Sequence, residues 1–500
     1  MQRSRSLVLL AAVTGACATA GGTRAGARPG PVNGDAAAAL RKSIDSLADA
    51  PEFANAHWGI LIVEPEGGDT LYARNAGKLF MPASNMKIVT TATLLDHVGP
   101  DYQYRTTVAA RGPVRDSTLA GDLIVIGRGD PSVSDHMQKD AMIPLRAMAD
   151  SLAARGVRRI SGRLIAAGNV FPDDVLGYGW SYDDFESAYS APIDELLFNE
   201  GFSQIRVRGG QEAGDPVQVE TRPARTFPRV RGFATTAPPR AASDTVVRRR
   251  GRPLRARKDS TTWDVILEGQ IPAGDSAIVE ITHHDPDVAY LSALREALAD
   301  RGIAVDGQWA DTLSRLDTLF TLLSPPLREI LPPLLKPSQN QMAEMLFKTI
   351  ALEATGVGRA DSARAVVQRQ LTTWGVAPSE IVVRDGSGLS RYDYVSPRAL
   401  VHILDAMRRS PHFLVFYEAL PIAGVDGTIR NRMRGTPAEG NVHAKTGSVA
   451  MARSLSGYVT TADRHLLIFS FLSNNWTVPV QSVERVQDAI AARLAAMRLR

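Results

Sequence analysis

The chain is 500 residues long, 44% apolar and 22% charged, with one cysteine and a formal charge of +4. That composition supplies a large buried core and excludes a disordered scaffold or a disulfide-stapled mini-protein, and no apolar run approaches the roughly 20 residues of a bilayer-spanning helix. The positive charge is local: Arg248, Arg249, Arg250, Arg252, Arg255, Arg257 and Lys258 fall in one acid-free tract and the remainder is mildly acidic, so nucleic acid is not expected as a partner.

Arg3 and Arg5 precede a short apolar run, Leu7 to Val13, and small residues through Ala20, which is the layout of an export signal over residues 1–20. Two processing sites compete. Ala18-Thr19-Ala20 suits an ordinary signal peptidase, whereas Val13-Thr14-Gly15-Ala16-Cys17 resembles a lipobox and would make Cys17 a lipidated membrane attachment point. Residues 21–34, rich in Gly, Pro and Arg, read as a linker. The expected location is the periplasm or cell envelope, soluble or lipid-anchored, and no feature speaks to an oligomeric state.

A helical pattern runs from Ala36 to Leu47. His57 to Val63 and Thr70 to Ala73 flank a turn-rich stretch and predict a β-hairpin, and Leu455 to Thr460 with Leu466 to Leu472 predict a second. Both hairpins contain nearly continuous apolar runs, as central strands covered on both faces do. The simplest arrangement is one sheet assembled from the two ends of the chain, with helices such as Gln481 to Leu499 packed on it.

Between the hairpins, residues 121–127 and 160–166 read as strands flanking a helix from Asp140 to Ala154, and Trp263 to Leu267 and Ala277 to Thr282 read as two more strands. The Arg/Pro-rich stretch 222–258 reads as a solvated loop. The expected fold class is therefore α+β, with a host domain at 35–100 and 290–500 interrupted by a β-rich insertion at 101–289.

Three short motifs carry chemistry. In Met81-Pro82-Ala83-Ser84-Asn85-Met86-Lys87, Ser84 sits in the first turn of a predicted helix with Lys87 beside it one turn on. A serine hydroxyl becomes a nucleophile when a base removes its proton, and a lysine amine held neutral can do so. Only eight lysines occur in the chain, and Lys87 alone has serine three residues before it. Ser338-Gln339-Asn340 offers a hydroxyl to pass a proton and an amide to bind a peptide backbone, unless Ser338 merely caps a helix. Ser473-Asn474-Asn475 has the same spacing but ends a strand. Lys445-Thr446-Gly447 offers an ammonium and a hydroxyl for a substrate carboxylate, and a glycine that lets an extended peptide approach the strand edge. His283-His284-Asp285 reads as structural, since neighbouring histidines on a strand face opposite ways. Asp385-Gly386-Ser387-Gly388 reads as a tight loop near the cleft.

Ser-x-x-Lys, Ser-x-Asn and Lys-Thr-Gly, in that order, are the signature of penicillin-recognising serine acyl-transferases. Ser84 and Ser338 are 254 residues apart and Ser338 and Lys445 are 107 apart, too wide for a class A β-lactamase. With Gly127-Arg128-Gly129-Asp130-Pro131, Tyr189-Ser190-Ala191-Pro192, Phe198-Asn199-Glu200, Asp385-Gly386-Ser387-Gly388-Leu389-Ser390-Arg391 and Leu455-Ser456-Gly457-Tyr458-Val459, the mature chain resembles the penicillin-binding protein 4 type of D-alanyl-D-alanine carboxypeptidase/endopeptidase. Gln339 stands where that family commonly has Asp, and the Arg tract is unlike its usual insertion.

The resemblance implies a β-lactamase/transpeptidase-like catalytic domain, peptidoglycan stem peptides as substrate and β-lactams as acylating mimics, with no cofactor and no metal. It assigns Ser84 as nucleophile, Lys87 as general base and Ser338 as proton relay. Asn340, Lys445, Thr446 and Gly447 would bind substrate, and the backbone N–H groups of Ser84 and Ser448 would form the oxyanion hole. Lys445 near Lys87, with partial burial, would help keep Lys87 neutral. A β-lactamase or esterase on the same site, and a catalytically silent wall-binding module, are the alternative readings.

Overall fold

The computed structural model describes residues 33–222, 229–239, 253–259, 261–262, 264–308 and 316–500. The export signal, Cys17, nearly all of the linker and Arg248 to Arg252 lie outside them. Among the described residues no helix is long and apolar enough to cross a membrane.

The two hairpins, 400 residues apart in the chain, meet in one five-stranded antiparallel sheet. Its order is Asp69–Arg74, His57–Glu64, Leu466–Asn474, Ala452–Thr460 and His443–Val449. Alternating side chains feed two cores: Ile60, Ile62, Phe469 and Phe471 enter one, while Leu61, Ile468 and Leu472 enter the other. Helices Gly34–Ala48 and Val480–Ala496 cover the first face through Leu40, Ile44, Val486 and Ile490. Helices Met86–Val98, Asn340–Thr355 and Pro397–Arg409 cover the second. Burial on both faces is why the strand sequences are continuously apolar, each buried Leu or Ile contributing about 1.5–3 kcal/mol.

Pro397–Arg409 shows how local sequence sets one such helix. Ser396 accepts a hydrogen bond from the Ala399 N–H, Pro397 starts the first turn, and Leu400, Ile403, Leu404 and Met407 form a buried stripe.

The insertion has two parts. In the first, strands Leu316–Leu323, Arg105–Arg111, Asp122–Ile126 and Leu164–Ala167 form a sheet, and helices Ile143–Ala154 and Pro286–Asp300 enclose a separate core with it. In the second, Gln218–Arg222, Phe202–Arg208 and Ser276–Thr282 form one small sheet, and Val230–Gly232, Val265–Glu268 and Arg255–Lys258 another.

Three sequence expectations change. The host domain resumes near helix Leu327–Leu335 rather than at residue 290, because Tyr290, Leu294 and Leu298 pack in the insertion's core and Leu316–Leu323 pairs with Arg105–Arg111. The strand expected at 160–166 is two pieces, Arg159–Ile160 and Leu164–Ala167, in different sheets. The end of the basic tract is no loop: Arg255–Lys258 pairs with Val265–Glu268, and Arg257 bonds Glu268 at 3.0 Å.

Candidate active site

Ser84 lies in a tight 3₁₀ turn, Ala83–Asn85, that leads into helix Met86–Val98, a turn earlier than the sequence places it. The turn is pinned from distant segments. Asn474 Oδ1 accepts from the Met81 N–H at 2.8 Å, Ser454 Oγ donates to the Pro82 carbonyl at 2.7 Å, and Asn85 Nδ2 donates to the Lys445 carbonyl at 2.8 Å. Thus Asn474, in the second Ser-x-Asn, has a structural task.

Two glycines let the turn pack so closely. A Cβ on Gly447 would collide with Ser454 Oγ and the Pro82 carbonyl and come within 2.9 Å of the Ser84 nitrogen. A Cβ on Gly388, where φ is +79°, would strike the Ala83 carbonyl. The sequence reading gave Gly447 to substrate approach. Its missing side chain also makes room for the backbone of Ser84.

Lys87 is fully buried. Its Nζ is 3.0 Å from Ser84 Oγ, 2.6 Å from Asn340 Oδ1 and 2.8 Å from the Ser387 carbonyl. Burial pushes its amine down to about 7, against the pull of Asp385, Glu344 and Asp393. A neutral amine has two N–H bonds and one lone pair. Asn340 and Ser387 take the two donors, which leaves the lone pair for the Ser84 hydroxyl proton.

Lys445, buried on strand His443–Val449, donates to Ser338 Oγ at 2.8 Å and to the Thr446 carbonyl at 2.9 Å. Burial, then the nearness of Lys87, then Arg453 depress it well below the usual lysine range. The repulsion expected to lower Lys87 thus acts on Lys445, while burial sets Lys87. Ser338 does not cap a helix: its φ is +71°, and helix Asn340–Thr355 begins after Gln339 without a side-chain cap. Thr446 Oγ1 shares a 2.7 Å hydrogen bond with Thr428 Oγ1.

The fold brings Ser84, Ser338, Asn340, Thr446, Gly447 and Ser448 to the lining of one cleft of about 580 Å³, with Lys87 and Lys445 buried behind Ser84 and Ser338. Strand His443–Val449 is the outermost of its sheet; its start bridges Ile422, and the rest of its edge, Thr446 to Val449, lines that cleft. Asp184, Tyr189 and Arg391 complete one wall.

Sequence reasoning missed a support beneath Lys87. Glu344 accepts the backbone N–H groups of Gly386, at 3.0 Å, and of Ser387, at 2.8 Å, which aims the Ser387 carbonyl at Lys87. Burial, then Asp385, push Glu344 up to about 8. Asp385 accepts from Gly388 N at 2.6 Å, Ser390 N at 2.7 Å and Trp180 Nε1 at 2.9 Å. Burial, then Asp385, hold Asp393 well above the carboxylate range. The available signal was Glu344 at one helical turn from Asn340 on the same helix. Asn340 Nδ2 is also engaged, donating to the Tyr189 carbonyl of the insertion at 2.7 Å. Its oxygen is occupied by Lys87, so of the amide expected to hold substrate backbone only the second N–H remains.

His283 is structural: it is buried, 2.9 Å from Ser203 Oγ, and burial lowers it to about 3. Asp285 caps helix Pro286–Asp300 by accepting from the Val288 N–H.

The geometry agrees with the relatives of this chain. Residues 40–497 match the D-Ala-D-Ala carboxypeptidase 3 (S13) family. The chain belongs to that family. It is 34% identical over 477 residues to the D-alanyl-D-alanine carboxypeptidase of Actinomadura sp. strain R39, covering 91% of this chain and 84% of that one. It is 25% identical over 418 residues to the D-alanyl-D-alanine carboxypeptidase DacB of Haemophilus influenzae, covering 81% and 82%. The crystal structure of penicillin binding protein 4 from Haemophilus influenzae superposes with a TM-score of 0.76 at 22% identity, over 91% of this chain and 99% of the other, which fixes the fold. As a member of the S13 family the chain is a serine-type D-alanyl-D-alanine carboxypeptidase.

Proposed function

We propose that the protein cleaves D-Ala-D-Xaa bonds of peptidoglycan stem peptides, at free C-termini and in cross-links, and that Ser84 carries the acyl group. The observation that carries this reading is the Lys87 Nζ contact with Ser84 Oγ at 3.0 Å, with both remaining amine donors already engaged.

The peptide lies along the free edge of His443–Val449, its terminal carboxylate at Lys445, Thr446 and Thr428. Ser84 Oγ attacks the carbonyl carbon while its proton passes to Lys87 Nζ. The backbone N–H groups of Ser84 and Ser448 receive the oxyanion. The C–N bond breaks as the leaving amine takes a proton from the Ser338 hydroxyl, and the proton that Lys87 took from Ser84 makes good that loss, so Lys87 is neutral again. Water then attacks the ester and gives a proton to Lys87, which returns it to Ser84 Oγ as the C–O bond breaks and the shortened peptide leaves. Asn340 orients Lys87 through its oxygen and faces substrate with its remaining N–H. β-Lactams enter the first half of this sequence and stop at the acyl-enzyme.

This chemistry belongs outside the cytoplasm, and Arg3, Arg5 and the apolar run Leu7 to Val13 support export, with Cys17 as the attachment point of a lipid-anchored form. The test is intact-protein mass spectrometry after penicillin treatment, together with D-alanine release from stem pentapeptide. A penicillin adduct and D-alanine release in the wild type, both lost in Ser84→Ala, are expected. Rapid β-lactam turnover without D-alanine release would replace this reading with a β-lactamase.

A further inference from the structure

The insertion returns to the cleft through residues 170–201. That segment is anchored by the Trp180 bond to Asp385, by the Tyr189 carbonyl on Asn340 and by the Ala188 carbonyl, which accepts from Gln341 Nε2 at 3.0 Å. Between the anchors it leaves large aromatic rings in solvent. Tyr182 is 82% exposed and Tyr178 is 64% exposed, and Phe185 is exposed beside them. Tyr392, 54% exposed, joins them from the catalytic domain.

These rings form two pairs. Tyr178 and Tyr392 lie 5.7 Å apart at 47°, and Tyr182 and Phe185 lie 5.6 Å apart at 67°. Single exposed apolar residues are ordinary; here Tyr182 and Phe185 flank Asp184, and Tyr392 follows Arg391, and because Asp184 and Arg391 line the cleft the two pairs mark a binding surface beside it.

The direction of the substrate says what meets them. With its carboxylate at Thr446 and its scissile carbonyl at Ser84, beside Gly447, the peptide's acyl side runs on past Ser448 and Val449 toward Ala450. Arg391 Nη2 donates to the Ala450 carbonyl at 3.3 Å, and Tyr392 follows it in the chain. Asp184, in the same turn as Tyr182, lines that end of the cleft. The part of the substrate leaving by this route is the part joined to sugar. A pyranose ring has an apolar C–H face that stacks on an aromatic ring and hydroxyls that bond a tyrosine O–H.

We propose that Tyr182, Phe185, Tyr178 and Tyr392 form a subsite for the pyranose rings of the glycan strand that bears the stem peptide. This rests on the function proposed above and adds to it: the enzyme selects peptides still attached to glycan. The subsite lies beyond the residues that perform the hydrolysis, so it acts on substrate capture.

Two measurements test it. The first compares kcat/KM for one stem pentapeptide, free and joined to its disaccharide, in the wild type, Tyr182→Ala and Tyr392→Ala. The wild type is expected to favour the disaccharide form about tenfold, mainly through KM, and each variant to lose much of that preference. Free-peptide hydrolysis and penicillin acylation of Ser84 stay unchanged in both variants. Equal wild-type kcat/KM for the two substrates, or a parallel fall for both in the variants, overturns the subsite. The second measures binding of peptide-free glycan strands to Ser84→Ala protein. Binding that disappears on adding Tyr182→Ala supports the subsite even if the hydrolytic reading fails, and absence of binding overturns it.

Discussion

Asn340 Oδ1 stands 2.6 Å from Lys87 Nζ, the shortest of that amine's three polar contacts, across 253 residues of sequence. A neutral acceptor there orients the amine without adding charge. In Asn340→Asp a buried carboxylate faces the base and stabilises its ammonium form. Acylation by a fluorescent penicillin at pH 7 is expected to fall at least about tenfold, and the acid limb of its pH profile to move up by about one unit or more, since one unit is about 1.4 kcal/mol. A rate lowered with the limb unmoved would count against this role of Asn340.

The wild-type profile has a defined sign. Burial lowers Lys87 to about 7, and the protonated amine has no lone pair for the Ser84 proton. Acylation therefore rises with pH through about 7 and levels off above it. Single-turnover acylation rates between pH 5 and 9 give the midpoint directly, and an unperturbed lysine would keep the rate climbing past pH 9.

Lys445→Ala removes the donor to Ser338 and a buried amine that Lys87 helps to depress. Two effects are expected together. Hydrolysis loses its carboxylate anchor and KM rises, and the Ser338 hydroxyl loses the donor that orients it, so acylation slows while its acid limb, set by the burial of Lys87, stays near 7. A change in KM alone, with acylation identical across the pH range, would separate the two lysines functionally.

Gly388→Ala and Gly447→Ala press a methyl group into the turn that holds Ser84. Each is expected to cost about 1–3 kcal/mol of stability, read as a lower denaturation midpoint, and to lower acylation far more than Asn474→Ala, which removes the two side-chain hydrogen bonds to the Met81 backbone but adds no bulk. Wild-type acylation in either glycine variant would show that the turn tolerates displacement.

The sheet and the two ends of the chain were legible because a strand covered on both faces is apolar throughout, as His57–Glu64 and Leu466–Asn474 are. The Ser84 and Lys87 pair was legible because helical spacing is local. The insertion's far boundary was not, since the apolar stripe of Pro286–Asp300 fits either core and only packing chooses. Nor was the support under Lys87: Glu344 and Ser387 look ordinary until helix Asn340–Thr355 is laid against the loop at 385–388. Nor was the second task of Gly447, room for the Ser84 turn, because a sequence shows that a side chain is missing without showing which neighbour needs the space.

The Ser84 turn is fastened to Asn474, Ser454 and Lys445, all in about the last ninth of the polypeptide. A truncated chain that stops short of them keeps the contacts of Lys87 with Asn340 and Ser387 but loses the bonds that seat the Ser84 turn against that amine. Hydrolytic power thus arrives only when the tail folds back upon the beginning.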